Sequence, residues 1–208
     1  TSGSLTVGQA VKVLPSGKQS SIKELVTFDG NLEQAQTGQA FTITLNDEVD
    51  VSRGDVIVPA DSTAAVTNQV QAKLVWMHEE PLVLGKSYNF KLGSKNTAAI
   101  VKKIDHTIDV NTLEQSQADS LQLNEIAIVT LELTESIVAD VYRNNHETGA
   151  FILIDRLSNL TIGAGMIEAL LSEQATQHSE FSDFEVEFNA LVRKHFPHWQ
   201  ALDITKLK

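Results

Sequence analysis

Gly85-Lys86-Ser87 ends like a phosphate-binding loop, in which backbone N–H groups and one lysine hold a polyphosphate. That loop needs a glycine five residues before Gly85, where this sequence has Glu80. It also needs a helix downstream, whereas Tyr88-Asn89-Phe90-Lys91-Leu92 alternates like a strand. Gly163-Ala164-Gly165 begins like a dinucleotide fingerprint, but the third glycine position holds Glu168. The three residues read instead as a tight turn closing a barrel. His195 and His198 stand at metal-ligand spacing with Pro197 between them and no third ligand nearby. His195 falls on an apolar stripe, so it reads as a packing or helix-capping residue. Asp105, His106 and Asp109 hint at acid–base chemistry, yet their turn-forming neighbours suggest a solvated loop. Asp47, Glu48, Asp50 and Asp55 lack the glycine and closing glutamate of a calcium loop. Arg53-Gly54-Asp55 matches an adhesion tripeptide that is common in turns. No serine sits in a Gly-x-Ser-x-Gly elbow, and no carboxylate pair has a catalytic setting. The sequence therefore offers no catalytic, cofactor-binding or metal-binding residue, and the expectation is a non-catalytic chain.

The totals agree with that reading. The 208 residues are enough for one large domain or two small ones. Hydrophobic residues make up 42% and charged residues 21%, a globular composition. A formal net charge of −11 repels phosphate backbones, so nucleic acid is not an expected partner. There is no cysteine, which excludes disulfides, thiol catalysis and thiolate metal sites, and fits a reducing cytoplasm. No apolar run approaches the roughly 18 residues of a membrane span, so no membrane is expected. Thr1-Ser2-Gly3-Ser4 has neither the basic nor the apolar region of a secretion signal. The first residue is not methionine, so a fragment or a processed start is expected.

The elements expected to carry these residues are strands. Residues 9–14 alternate polar and apolar, and the turn Pro15-Ser16-Gly17-Lys18 follows. Further strands are predicted at 21–28, 39–45 and 56–58, the last ended by Pro59. After the small, polar run 61–68, strands are predicted at 70–77, 87–92, 98–104, 126–133 and 150–155. Residues 109–123 read as loop, and 166–171 as a short helical turn. Ser182 and Glu185 form a capping box, with Phe181 and Val186 at staple spacing. Phe184, Phe188, Leu191, Val192 and His195 then make one apolar stripe of a helix that Pro197 stops. The expected fold is all-β: a first barrel over 1–68, a second over 69–168, and a linker with a C-terminal amphipathic helix over 169–208. Trp76, Met77 and the helix stripe are the apolar candidates for an interface.

Several stretches resemble a known family. Leu14-Pro15-Ser16-Gly17-Lys18-Gln19-Ser20 with Val26-Thr27-Phe28-Asp29-Gly30, and 47–55, are similar to the second domain of the GTPase subunit of bacterial sulfate adenylyltransferases. Residues 108–114, 123–126 and 148–156, running on to Gly163-Ala164-Gly165-Met166-Ile167, resemble its third domain. The ending, Asn189-Ala190-Leu191-Val192-Arg193 and His195-Phe196-Pro197-His198-Trp199, also resembles that family. The wider relatives are translation elongation factors such as elongation factor Tu. The resemblance therefore implies two antiparallel β-barrels like elongation factor Tu domains 2 and 3.

It further implies that the GTP-binding domain, with its phosphate loop, Asp-x-x-Gly switch and Asn-Lys-x-Asp guanine reader, belongs upstream of these residues. The first barrel would then lack part of its opening strand and expose an unpaired edge. GTP and magnesium are expected in the intact subunit, and no cofactor in this chain. The implied partners are the chain's own G domain and the small catalytic subunit, which makes adenosine 5′-phosphosulfate from ATP and sulfate in the assimilation of sulfate toward cysteine. The alternative is a translation-factor-like module that binds aminoacyl-tRNA, against which the acidic balance counts.

Overall fold

The computed structural model describes residues 2–110, 112–171 and Asn189. Apart from Asn189, the predicted C-terminal helix, with His195 and His198, lies outside the described residues. Among the described residues, fourteen strands and one turn of helix follow in chain order. The first seven are β1 (Ser4–Thr6), β2 (Ala10–Leu14), β3 (Lys18–Thr27), β4 (Gly30–Leu32), β5 (Gln34–Gln36), β6 (Thr42–Leu45) and β7 (Val56–Pro59). Next come β8 (Val66–Trp76), β9 (Ser87–Leu92), β10 (Lys95–Ile108), β11 (Gln115–Ser116) and β12 (Ile126–Val138). Helix α1 (His146–Gly149), β13 (Ala150–Ile154) and β14 (Thr161–Leu171) complete the set. The all-β expectation holds for the described residues.

The later strands close on themselves. The sheet runs β10-β12-β8-β14-β13-β9, and β9 pairs back onto β10, every contact antiparallel. This six-stranded barrel has no edge, with β11 added beside the C-terminal end of β10. Strand period places alternate side chains inside. In β8, Val70, Ala72, Leu74 and Trp76 are buried. The indole of Trp76 meets the ring of Tyr88 edge-on at 5.8 Å, and Phe90 stacks on Phe151 at 4.6 Å. Burying side chains of this size contributes about 1.5–3 kcal/mol each.

The first barrel expected over 1–68 is not closed: the earlier strands form a smaller, open arrangement. One sheet runs β4-β3-β2-β7 with β6 also on β3, and β1 pairs β5 as a separate ribbon. Val11, Ile22, Leu25 and Ala35 form its core, with Phe41 and Ile43 partly buried against them. The two arrangements meet where Leu14, Val58 and Val138 cluster with Val56 and Ala64. Beside this contact, a side chain at Gly54 would lie 2.7 Å from Cδ of Lys95, so the Arg53-Gly54-Asp55 turn seats itself against the start of β10.

Three expectations about local structure are also corrected. Gly163-Ala164-Gly165 is not a turn and residues 166–171 are not helical; all belong to β14, which lies between β8 and β13. The glycines misled because strands disfavour them, but here they leave room for bulk. Gly165 is opposite Phe151, and a Cβ on Gly165 would stand 2.1 Å from that ring. Likewise, Asp105 and His106 lie in β10 and not in a loop. Register shifts at Val101/Lys103 and Ile104/His106 break the alternation that would have marked the strand.

Gly165→Ala must push Phe151 off Phe90. We expect it to destabilise the chain by about 2 kcal/mol, the scale of overpacking in a filled core. At Gly163 the nearest atoms stand at 3.2 Å or more, so Gly163→Ala should cost less, about 1 kcal/mol. Urea unfolding of the two variants checks the order; equal midpoints would contradict it.

Candidate interaction surface

Barrel closure gathers the loops onto two rims. One rim carries the loops 77–86, 109–125 and 155–160; the other carries 93–94 and 139–149. Backbone bonds tie the first set together. Met77 N–H donates to Ile162 O at 2.8 Å, Asn124 N–H to Trp76 O at 2.8 Å, and Leu82 N–H to Leu121 O at 2.9 Å. Lys86 Nζ stands 3.4 Å from Asp155 Oδ1, and Arg156 Nη1 donates to Ser87 Oγ at 3.3 Å. The three loops are thus one connected surface.

That surface is apolar where loops are usually polar. In 77–86, Met77, Val83 and Leu84 are exposed, and in 109–125 so are Val110, Leu113 and Leu123. In 155–160, Leu160 is 56% exposed and Leu157 is 91% exposed, almost fully in solvent. Among the described residues of the closed barrel the one other exposed large apolar side chain is Val66, at the start of β8 on the opposite rim, where it pairs with Val138. Around the apolar groups of the first rim stand the carboxylates of Glu79, Glu80, Asp109, Glu114, Asp119 and Glu125.

Between the loops is a crevice of about 250 Å³, lined in part by Trp76, Glu80, Lys86, Tyr88 and Asp155. It is below the roughly 300–1,000 Å³ of small-molecule sites, and its polar groups already bond one another. The Trp76 indole N–H donates to Glu80 O at 2.8 Å. Burial raises the pKa of the Tyr88 phenol, whose oxygen accepts from Val83 N–H at 3.3 Å. Asp155 accepts from the N–H of Ser158 at 2.8 Å, its hydroxyl at 2.9 Å and the N–H of Leu157 at 3.1 Å. These bonds, with Lys86 beside them, lower its carboxyl to about 2.

The residues weighed from sequence fall into place. Lys86 is engaged with Asp155, so Gly85-Lys86-Ser87 is a structural turn leading into β9. Trp76 is 2% exposed and belongs to the core, whereas Met77, 47% exposed, belongs to the rim. Asp105 sits on the outer wall of the barrel. Burial raises its carboxyl, but hydrogen bonds from Lys103, Gln71 and Thr130 with the Lys103 charge prevail and lower it. Among the described residues no group of acidic and histidine side chains is placed to hold a metal ion. Val83, Leu157 and Leu160 were not singled out by sequence. Their only signal there is apolar residues inside runs otherwise built of turn formers.

The closed antiparallel barrel is of the kind found as the C-terminal barrel domain of elongation-factor-like proteins. A family model described as GTP-eEF1A C-terminal domain-like matches residues 69–168. Two crystal structures of sup35, one complexed with GDP and one with GMPPNP, share the fold at a TM-score of 0.74 and 16% identity. Each match covers 82% of this chain and 42% of the other. Sulfate adenylyltransferase subunit 1 of Tolumonas auensis is 55% identical over 99% of this chain, and that of Teredinibacter turnerae 55% over 98%. The protein of the same name from Saccharophagus degradans is 53% identical over 99%. The chain belongs to the sulfate adenylyltransferase subunit 1 family, and spans 43–44% of the length of these relatives.

The depressed Asp155 carboxyl has a pH consequence. Its folded value, about 2, lies below the ordinary value near 3.9, so its support of the 155–160 turn is fully present above the latter and is lost as pH falls toward about 2. Carbon-detected NMR should give Asp155 a midpoint near 2, with the Leu157 and Ser158 amides following it. A midpoint near 4 would contradict the clamp.

Proposed function

We propose that this chain is the non-catalytic barrel portion of the GTPase subunit of a cytoplasmic sulfate adenylyltransferase. In the intact subunit a G domain binds GTP with magnesium. The small catalytic subunit joins ATP and sulfate into adenosine 5′-phosphosulfate and pyrophosphate, and GTP hydrolysis drives that unfavourable step. The barrels carry the nucleotide-dependent state of the G domain to the catalytic subunit.

The observation that carries this reading is the 53–55% identity to three subunit 1 proteins, sustained across 98–99% of the chain. "Subunit 1" in those names speaks of an assembly with at least one more polypeptide. The crevice and rim support the same reading, since the crevice's Trp76, Tyr88, Lys86 and Asp155 are spent on holding loops together while the rim's apolar side chains point outward. The elongation-factor-like architecture adds a precedent in kind, because coupling between two sites needs an element whose position both can bias.

Two measurements test it. In calorimetry the 208-residue chain should release no heat on addition of GTP with magnesium, while the intact subunit binds. Immobilised, the chain should retain the small catalytic subunit. GTP binding by the chain itself, or a shifted band with aminoacyl-tRNA in a gel, would overturn the reading.

A further inference from the structure

One loop rim of the closed barrel carries eight exposed large apolar side chains on three tied loops, and the opposite rim carries Val66, among the described residues. We infer that the first of these rims docks a separate protein subunit that presents an apolar centre ringed by lysine and arginine. This inference rests on the function proposed above and assigns its partner contact to named residues.

The asymmetry is the first argument. Both rims are made of loops from the same six strands, so exposure through loop formation alone would burden both. Yet eight such groups stand on one rim and Val66 on the other, among the described residues. Leu157 and Leu160 stand beyond the barrel core on a turn fixed by the Asp155 hydrogen bonds, so their outward position is held and not incidental. Rigid apolar groups of this kind serve as anchors, because little side-chain and loop freedom remains to be lost on binding.

Charge selects the occupant. The three loops hold seven carboxylates against Lys86 and Arg156, and Lys86 is spent on Asp155. A second copy docking the same face would set acid against acid across a two-fold axis. Nucleic acid and anionic lipid headgroups would be repelled. A protein with a basic rim is attracted, and such complementarity shows as salt-dependent association.

The test is a titration of the small catalytic subunit against the 208-residue chain and against the intact GTPase subunit, at low and high salt. Leu157→Asp with Leu160→Asp should weaken binding at least tenfold, the scale of losing one good anchor. Glu79→Lys with Glu80→Lys should weaken it about threefold and flatten its salt dependence. Arg143→Glu, on the opposite rim, should leave it within twofold. Thermal unfolding confirms that each variant is folded, which these exposed positions favour. If the parent chain and subunit bind but the rim variants match them, the rim is not the docking surface, while the proposed function stands. If the rim variants instead change only the GTP affinity of the intact subunit, the occupant is its own G domain and the inference fails. If neither parent binds the small subunit, the proposed function itself fails.

Discussion

Pairing of β9 with β10 is the interaction on which the rest of this molecule depends. Without it, β10-β12-β8-β14-β13-β9 would be an open sheet with two long edges and a one-sided core. With it, the hydrogen bonds of the outermost strands are satisfied by each other, and inward side chains from all six strands fill one interior. Trp76 and Tyr88, on strands that are not neighbours, meet because the sheet curves, whereas Phe90 stacks on Phe151 of the directly paired β13. Closure also demands space where rings cross a neighbouring strand, which is why Gly165 stands opposite Phe151. The same closure sends every connection to one of two rims, and so decides which loops become neighbours.

The first arrangement of strands lacks this constraint and is correspondingly loose in plan. Its sheet is open, its ribbon β1–β5 is a separate pairing that joins the rest through Ala35 and Leu5, and its core cluster is small, Val11, Ile22, Leu25 and Ala35 with partly buried neighbours. It gains from contact with the closed barrel. Leu14, Val58 and Val138 would each be left against water if the two parted. Lys95 extends this contact, since its stem packs on Gly54 while its Nζ bonds Glu135 at 2.6 Å. The apolar stem thus serves one contact and the charged head another, as long cationic side chains commonly do.

Alternation made the long strands legible. Residues 70–76 and 87–92 show the period-2 pattern cleanly because one face meets the core and the other meets water. Three-residue strands such as β1, β4 and β5 offer too little sequence for any period to register. Strand β14 was hidden by its glycines, and the far end of β10 by two register shifts that let Asp105 keep three hydrogen-bonding partners on the outer wall. The rim was legible only in part. Met77 drew notice as a large apolar residue, but Leu157 and Leu160 acquire meaning only when the pairing of β13 with β9 and of β14 with β8 brings 155–160 beside 77–86. Their partners are distant in sequence, and no local pattern encodes that proximity.

A relay between a nucleotide site and a second subunit places a mechanical demand on what lies between. A closed barrel with a filled interior resists deformation, because sliding one strand would misalign pairings on both sides and open voids in the core. It therefore moves as a body or not at all. Loops on such a body would ordinarily blur the movement, yet here Lys86 with Asp155, Arg156 with Ser87, and the backbone of Leu82 on Leu121 bind the three rim loops to one another. Displacement of the barrel then carries Leu157, Leu160 and Met77 together. A surface whose anchors keep their spacing while they travel can favour one position of a bound partner over another, and that difference in affinity is the physical form that coupling must take.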